Sequence, residues 1–258
     1  MFETQAVKVS GLRKIYVIGK EKVVALNKID LEIPKGEICC VLGTSGSGKS
    51  TLLNMLAGLE KPTKGSVTIF GEEISSMSER KLAAFRQKYV GFVFQSYDLI
   101  NSMNALENVS LPLTFRGIPK KKREKLAKKM LIAMGLEKRI YHKPGEMSGG
   151  QQQRVGIARA FISKPEIVFA DEPTGNLDSH TTAEVMELMV KQCRKYGSTM
   201  VMVTHDKDIA QYADRILTII DGNIVSDEKN ESVLGKTEEN IEKTKEINME
   251  KEKEKNEE

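Results

Sequence analysis

The sequence predicts an α/β fold with a mainly parallel sheet and helices on both of its faces. Three observations carry that prediction. Short, wholly apolar runs, such as a strand covered on both faces requires, recur along the 258 residues. Helix-patterned segments lie between several of them. A glycine- and serine-rich loop joins one such strand directly to one such helix, and no internal repeat interrupts the alternation.

Taken in order, Val23–Ile33 mixes apolar and polar residues as a half-exposed antiparallel strand would. Ile38–Leu42 is apolar throughout and predicts a buried strand. After the loop a helix is expected from about Lys49 to Ala57, closed by Gly58. Val90–Phe94, Ile167–Ala170, Thr199–Val203 and Arg215–Ile220 are further buried-strand candidates, and Ser78–Gln87, Lys120–Met134, Gln151–Ile162 and Ser179–Tyr196 carry helical patterns. In the last, Val185, Leu188, Met189 and Cys193 recur at three- and four-residue steps, which puts them on one buried face. Asp221-Gly222 predicts a tight hairpin turn.

Composition bounds the rest. With 40% hydrophobic and 29% charged residues, the balance is that of a water-soluble globular chain. No uncharged apolar run approaches the ~20 residues that span a bilayer. The N-terminus has no apolar stretch behind a basic start, so no secretory signal is expected. Cys39, Cys40 and Cys193 read as reduced thiols without a metal or disulfide framework. The net charge of +4 is uneven: from Asp227 onward 12 acidic and 7 basic residues give −5, so the preceding 226 carry +9. That basic part suits an anionic ligand or surface. The segment 227–258 lacks Phe, Tyr and Trp and is expected to be a disordered charged tail.

The loop itself is specific. Gly43-Thr44-Ser45-Gly46-Ser47-Gly48-Lys49-Ser50 fits the pattern G-x-x-x-x-G-K-[ST] between a buried strand and a helix. Glycines let consecutive N–H groups turn inward into a nest for phosphate oxygens, and the helix start adds its positive dipole end. Lys49 would bridge the β- and γ-phosphates of a nucleotide, the Ser50 hydroxyl would ligate Mg²⁺, and Thr51 extends the nucleotide-binding set. Downstream, Ile167–Ala170 delivers Asp171-Glu172 at a strand end, where open α/β sheets bind ligands. Asp171 would hold Mg²⁺ through water, and Glu172 would orient the attacking water or accept its proton. His205, after Thr199–Val203, should reach the same rim.

Ser148-Gly149-Gly150-Gln151 opens another helix, 23 residues ahead of Asp171. The full series, phosphate loop, Gln95 after a strand, Ser148–Gln151, Asp171-Glu172, Asn176-Leu177-Asp178 and His205, resembles the nucleotide-binding subunit of ATP-binding cassette (ABC) transporters across roughly residues 5 to 226. The resemblance implies a P-loop NTPase core with an antiparallel β subdomain and an inserted α-helical subdomain at about 96–150, all within an ATPase domain of residues 1–226. It implies that Tyr16 stacks on adenine and that Gln95 senses Mg²⁺ and the water and links the site to a membrane partner. It further implies that Asp178 lies in a loop crossing to the opposite subunit and that His205 contacts the γ-phosphate. In such a family two subunits face head to tail, and Ser148, Gly149 and Gly150 of one cap the phosphate held by Lys49 of the other. Each helix start is an anion site, and one triphosphate end can satisfy two.

A narrower resemblance rests on Asp171-Glu172-Pro173-Thr174-Gly175-Asn176-Leu177-Asp178 and Gly91-Phe92-Val93-Phe94-Gln95, which look like the MacB/LolD/bacitracin-type branch of bacterial ABC ATPases. That branch serves export, lipoprotein release and antimicrobial peptide resistance. The implied partners are an integral membrane permease and a second copy of this chain, at the cytoplasmic face of the membrane, with no direct nucleic acid. Arg116, Lys120, Lys121, Lys122, Arg123, Lys125, Lys128 and Lys129 form a basic run expected to be a solvated helix face, with Leu126, Met130 and Ala133 inward. The competing reading is a soluble ABC-type ATPase acting on nucleic acid or ribosomes. Such proteins split the cassette with a coiled coil or zinc insert or carry two cassettes, and this chain does neither. A kinase-type P-loop enzyme would leave Ser148–Gln151 and His205 unexplained.

Overall fold

The computed structural model describes residues 5–230. Its strands are β1 (Gln5–Ile18), β2 (Glu21–Pro34), β3 (Ile38–Leu42), β4 (Lys64–Ile69), β5 (Glu72–Glu73), β6 (Val90–Phe94), β7 (Ile167–Asp171), β8 (Thr199–Thr204), β9 (Arg215–Ile220) and β10 (Asn223–Lys229). Its helices are α1 (Lys49–Leu56), α2 (Glu79–Tyr89), α3 (Ala105–Phe115), α4 (Lys120–Ala133), α5 (Gly149–Phe161), α6 (Ser179–Tyr196) and α7 (Lys207–Ala210). An antiparallel sheet runs β2-β1-β4-β5, and a six-stranded sheet runs β10-β9-β3-β8-β7-β6, parallel except for β10 at its edge.

The six-stranded sheet is buried on both faces because its strands alternate between two cores. Cys39, Val41, Phe169, Val201 and Val203 enter the core shared with the antiparallel sheet and with Leu52 and Leu56 of α1. Ile38, Cys40, Val168, Ala170, Met200 and Met202 enter the other, with Val109 of α3, Leu131 of α4, Phe161 of α5 and Met189 of α6. This is why those strands read as unbroken apolar runs. The three thiols are buried parts of these cores. Burial pushes Cys40 and Cys193 up to about 12, so they pack as small apolar side chains. Asp221 and Gly222, at φ 46° and 74°, make the hairpin turn between β9 and β10.

Parallel register puts the working ends on one rim. Leu42 is paired with Thr204, Asp171 with Val203 and Phe94 with Asp171. The next residues, Gly43, His205, Glu172 and Gln95, therefore leave the sheet at neighbouring carboxyl ends.

Two expectations need correction. In α4, Met130 is buried as expected, but Leu126 is 40% exposed and Ala133 also faces out; Ala127, Leu131 and the following Met134 fill the core instead. A lysine-rich sequence offers little contrast from which to set the helical phase. Arg116 also leaves the basic face: its guanidinium donates to Gln87 O, Lys88 O and Ser163 O, tying the end of α3 to the chain around β6.

The second correction is the boundary at 226, which falls inside β10. Asp227 is held there by Arg215, whose Nε and Nη2 donate to its two carboxylate oxygens at 2.6 Å each, and Asn230 Nδ2 donates to Gln211 O and Ala213 O. The expected disorder of the remaining tail concerns residues outside the described range. The Arg215 guanidinium holds the Asp227 carboxyl below the usual carboxylate range. That contribution is full above the ordinary carboxylate pKa and is lost as pH falls through the depressed value. Asp227 is half exposed, so the pair is screened; Asp227→Asn is expected to cost about 0.5–1 kcal/mol in urea unfolding at neutral pH. The difference from native shrinks as pH falls through that depressed value. Among the described residues no helix is long and apolar enough to cross a membrane.

Candidate functional site

The loop after β3 enters α1 through Gly48, whose φ of 103° is left-handed and whose missing Cβ would stand 2.5 Å from Ala25 O. Only glycine satisfies both demands. Lys49 follows as the first helical residue and is 5% exposed, its Nζ donating to Thr44 O at 2.7 Å across the loop. That bond folds the lysine side chain back over the loop it follows. Ser50 Oγ donates to Asp171 Oδ1 at 3.2 Å, bringing two hard oxygen ligands together. Burial pushes the Asp171 carboxyl up and neighbouring Glu172 adds to this, while the Ser50 hydrogen bond and the Lys49 charge oppose it. A cation placed between Ser50 and Asp171 would offset that desolvation. Among the described residues no group of three or more His, Cys, Asp or Glu side chains forms a metal cage. The pair therefore suits Mg²⁺ completed by phosphate oxygens rather than a metal held by protein alone.

Glu172 sits just past β7 at φ 43°, its N–H donating to Val203 O at 3.0 Å. A non-glycine residue in that region costs about 1–3 kcal/mol and persists where surroundings fix it. Its Oε2 lies 2.7 Å from His205 Nδ1, and both line a cavity of about 400 Å³ with Thr204, Gly175 and Tyr212. Lys49, Ser50, Asp171, Glu172 and His205 are thus gathered on the rim that the strand register set up.

Gln95 joins the rim from β6. Its amide Nε2 would be 2.6 Å from a Cβ on Gly175, so its side chain lies against the loop after Glu172, and its backbone carbonyl accepts from Asn176 Nδ2 at 3.0 Å. The next residues are fixed from α5: Arg159 donates to Tyr97 O and Asp98 O at 2.9 and 2.6 Å, where both Tyr97 and Asp98 have left-handed φ.

Ser148 is the N-cap of α5 in a capping box with Gln151, so the helix begins at Gly149, two residues before the expected start. A Cβ on Gly149 would meet Tyr97 Oη at 2.7 Å, and one on Gly150 would meet the Thr181 methyl at 2.4 Å. Ser148 and Gln151 border a separate open cleft with Arg154, Thr181 and Glu184, and that cleft includes no phosphate-loop residue. Asp178 caps α6, accepting from Thr181 N and Oγ1 at 3.0 and 2.7 Å, bonds that hold its carboxyl below the usual range. Tyr16, on β1, donates to Glu60 Oε2 at 2.7 Å; burial and Glu60 push its hydroxyl up, and Thr51 in the first turn of α1 opposes.

Four contributors went unread in the sequence: Tyr97, Thr181, Arg159 and Gln153, the last buried and donating its amide to Pro173 O beside Glu172. The spacing Asp178-x-x-Thr181 is an N-cap signal that points to Thr181; the other three lie far in sequence from what they touch.

Fold and rim together define a P-loop nucleoside triphosphatase. The ABC transporter family model matches residues 26–175. An uncharacterized ABC transporter ATP-binding protein of Thermotoga maritima is 47% identical over 224 residues, covering 87% of this chain and 95% of that protein. The macrolide export ATP-binding/permease protein MacB of Vibrio parahaemolyticus is 45% identical over 227 residues, 88% of this chain; the chain spans only 35% of that relative's length. The solved ATP-binding cassette MJ0796, a dimer in a post-hydrolysis state with ADP and Pi, matches with TM-score 0.82 at 42% identity, covering 87% of this chain and 98% of that one. The chain belongs to the ABC transporter family and is an ATP-hydrolysing subunit of it.

Proposed function

We propose that this chain drives a separate integral membrane permease for export, lipoprotein release or antimicrobial peptide resistance, by closing as a homodimer on ATP at the cytoplasmic face of the membrane. One observation carries the proposal. The chain presents two helix starts suited to anions, at Lys49 and at Ser148, and the second borders a different cleft from the phosphate loop. A head-to-tail pair brings the Ser148 turn of one copy to the Lys49 loop of the other, so that ATP is held by both.

In that reading Tyr16 stacks on adenine, with Thr51 beside it, and the N–H groups of Ser45, Gly46 and Gly48 receive the phosphates with Lys49, while the Gly43 and Ser47 N–H groups shape the loop by donating to Thr204 O and Thr44 O. Ser50, Asp171 and Gln95 hold Mg²⁺, which when bound neutralises charge on the β- and γ-phosphate oxygens. Glu172, fixed by its backbone bond to Val203, accepts the proton of the water that attacks the γ-phosphorus, and the bond to ADP breaks. His205 stands 2.7 Å from Glu172 and contacts the γ-phosphate from the same side. The backbone amides of Gly149 and Gly150, with Ser148 and Gln151, cap that phosphate from the second copy, and Asp178 lies in the loop that crosses to it. Loss of the shared γ-phosphate removes what joins the copies, and the pair opens.

The permease surface lies around Gln95–Ser110, where Arg159 clamps the loop to α5. Affinity purification in mild detergent from native membranes is expected to return an integral membrane protein with the chain. Recovery with nucleic acid instead, and hydrolysis stimulated by it in a salt-dependent way, would replace this reading with the soluble one.

A further inference from the structure

Lys14 of β1 and Glu60, after α1, take no part in the roles above, yet both meet Tyr16. The Tyr16 hydroxyl donates to Glu60 Oε2 at 2.7 Å, while Lys14 Nζ lies 3.1 Å from Glu60 Oε1 and donates to Lys61 O at 2.9 Å. The same ammonium stands over the Tyr16 ring, 5.0 Å from its centroid, on a side chain only 14% exposed. The geometry points to Glu60 and Lys14 as positioning residues that hold the Tyr16 ring ready for the base of the nucleotide. This rests on the reading of Tyr16 as the base platform.

The local sequence explains why such a brace is needed. Tyr16 lies near the tip of the β1–β2 hairpin, where Val17 and Ile18 are 68% and 67% exposed. Among the described residues Tyr16 packs into neither apolar core, so polar contacts must fix the ring. Glu60 ties down its hydroxyl end, and Lys14 covers one face, which leaves the opposite face for stacking. Lys14 and Glu60 neutralise each other, so neither presents a net charge to the base. A ring frozen in advance spares the binding step its ordering cost, a difference of about 3- to 10-fold in affinity. Because the brace acts through the ring, it bears on the base and not on the phosphates.

The test displaces a ribose-labelled fluorescent ATP from the intact chain, with Mg²⁺, by unlabelled ATP and by inorganic tripolyphosphate. Glu60→Ala is expected to weaken ATP about 3- to 10-fold and to leave tripolyphosphate within about twofold. Tyr16→Phe, which keeps the ring but loses the tie, should do the same, and adding Glu60→Ala to it should weaken ATP no further. Glu60→Gln still presents an acceptor and should bind ATP within about twofold of the native chain. Equal weakening of ATP and tripolyphosphate by Glu60→Ala would mean that Glu60 acts through the fold, and would overturn the proposal. So would an unchanged ATP affinity in Glu60→Ala when Tyr16→Ala is impaired. If Tyr16→Ala itself binds ATP normally, it is the base-platform reading that fails, and the brace with it.

Discussion

Glu172→Gln lowers kcat by about 10²–10⁴-fold, leaves the Kd for ATP within about twofold, and accumulates the chain as a dimer in ATP. The amide has the shape of the carboxylate and still offers an oxygen to His205, so the 2.7 Å contact and the backbone bond to Val203 remain. What is lost is the negative charge that takes a proton from water. Binding is spared because the phosphates are held elsewhere, by the loop around Lys49 and by Ser50 with Asp171. With hydrolysis slowed, nothing removes the ligand that both copies grip, and the closed state becomes the dominant population. Sedimentation velocity should show a dimer in saturating ATP and a monomer in ADP. A monomer in ATP would refute ATP-driven closure.

Lys49→Ala has the opposite signature. The native lysine is 5% exposed and its ammonium is already turned across the loop to Thr44 O, so little rearrangement separates it from the phosphates it is to meet. Removing it deletes two charge-assisted hydrogen bonds, worth about 1.5–3 kcal/mol each, so that ATP binding weakens by about 100-fold or more. Tripolyphosphate should weaken by a similar factor, because the lysine acts on the phosphates and not on the base. Titration calorimetry with each ligand makes the comparison, with circular dichroism showing that α1 is still formed through Leu52, Leu53 and Leu56. Undiminished ATP affinity in this variant would remove the phosphate loop from its assigned place.

The sequence exposed the parallel sheet because burial on both faces leaves a simple trace. Val90–Phe94 and Arg215–Ile220 have the bounds the sequence predicts, and Ser179–Tyr196 is bounded by an Asp cap and a left-handed Gly197. Strands with one wet face were harder. β1 leaves no clear trace, since its register with β2 shifts at four points and blurs any two-residue alternation. The end of β10 looked like tail because Asp227 owes its place to Arg215, twelve residues away, and not to an apolar side chain. The lysine-rich α4 carries too little contrast between its faces to set its helical phase.

The same division runs through the site. Lys49, Ser50, Asp171 and Glu172 were legible because motif, strand and helix lie next to one another in the chain. The Glu172–His205 contact joins strands β7 and β8, and only their register brings the two together. The Tyr16–Glu60 bond, the Tyr97 contact with Gly149 and the Gln153 bond to Pro173 have no local pattern behind them. They arise from tertiary packing, where neighbours are set by shape and not by spacing.

A crystal structure of the Glu172→Gln chain with ATP and Mg²⁺ bears most directly on the two-sided grip. It should place each γ-phosphate within hydrogen-bond distance of Lys49 in one protomer and of Ser148 Oγ and the Gly149 and Gly150 amides in its twin. A structure in which Ser148 stays remote from every phosphorus atom, in every assembly present, would contradict the account.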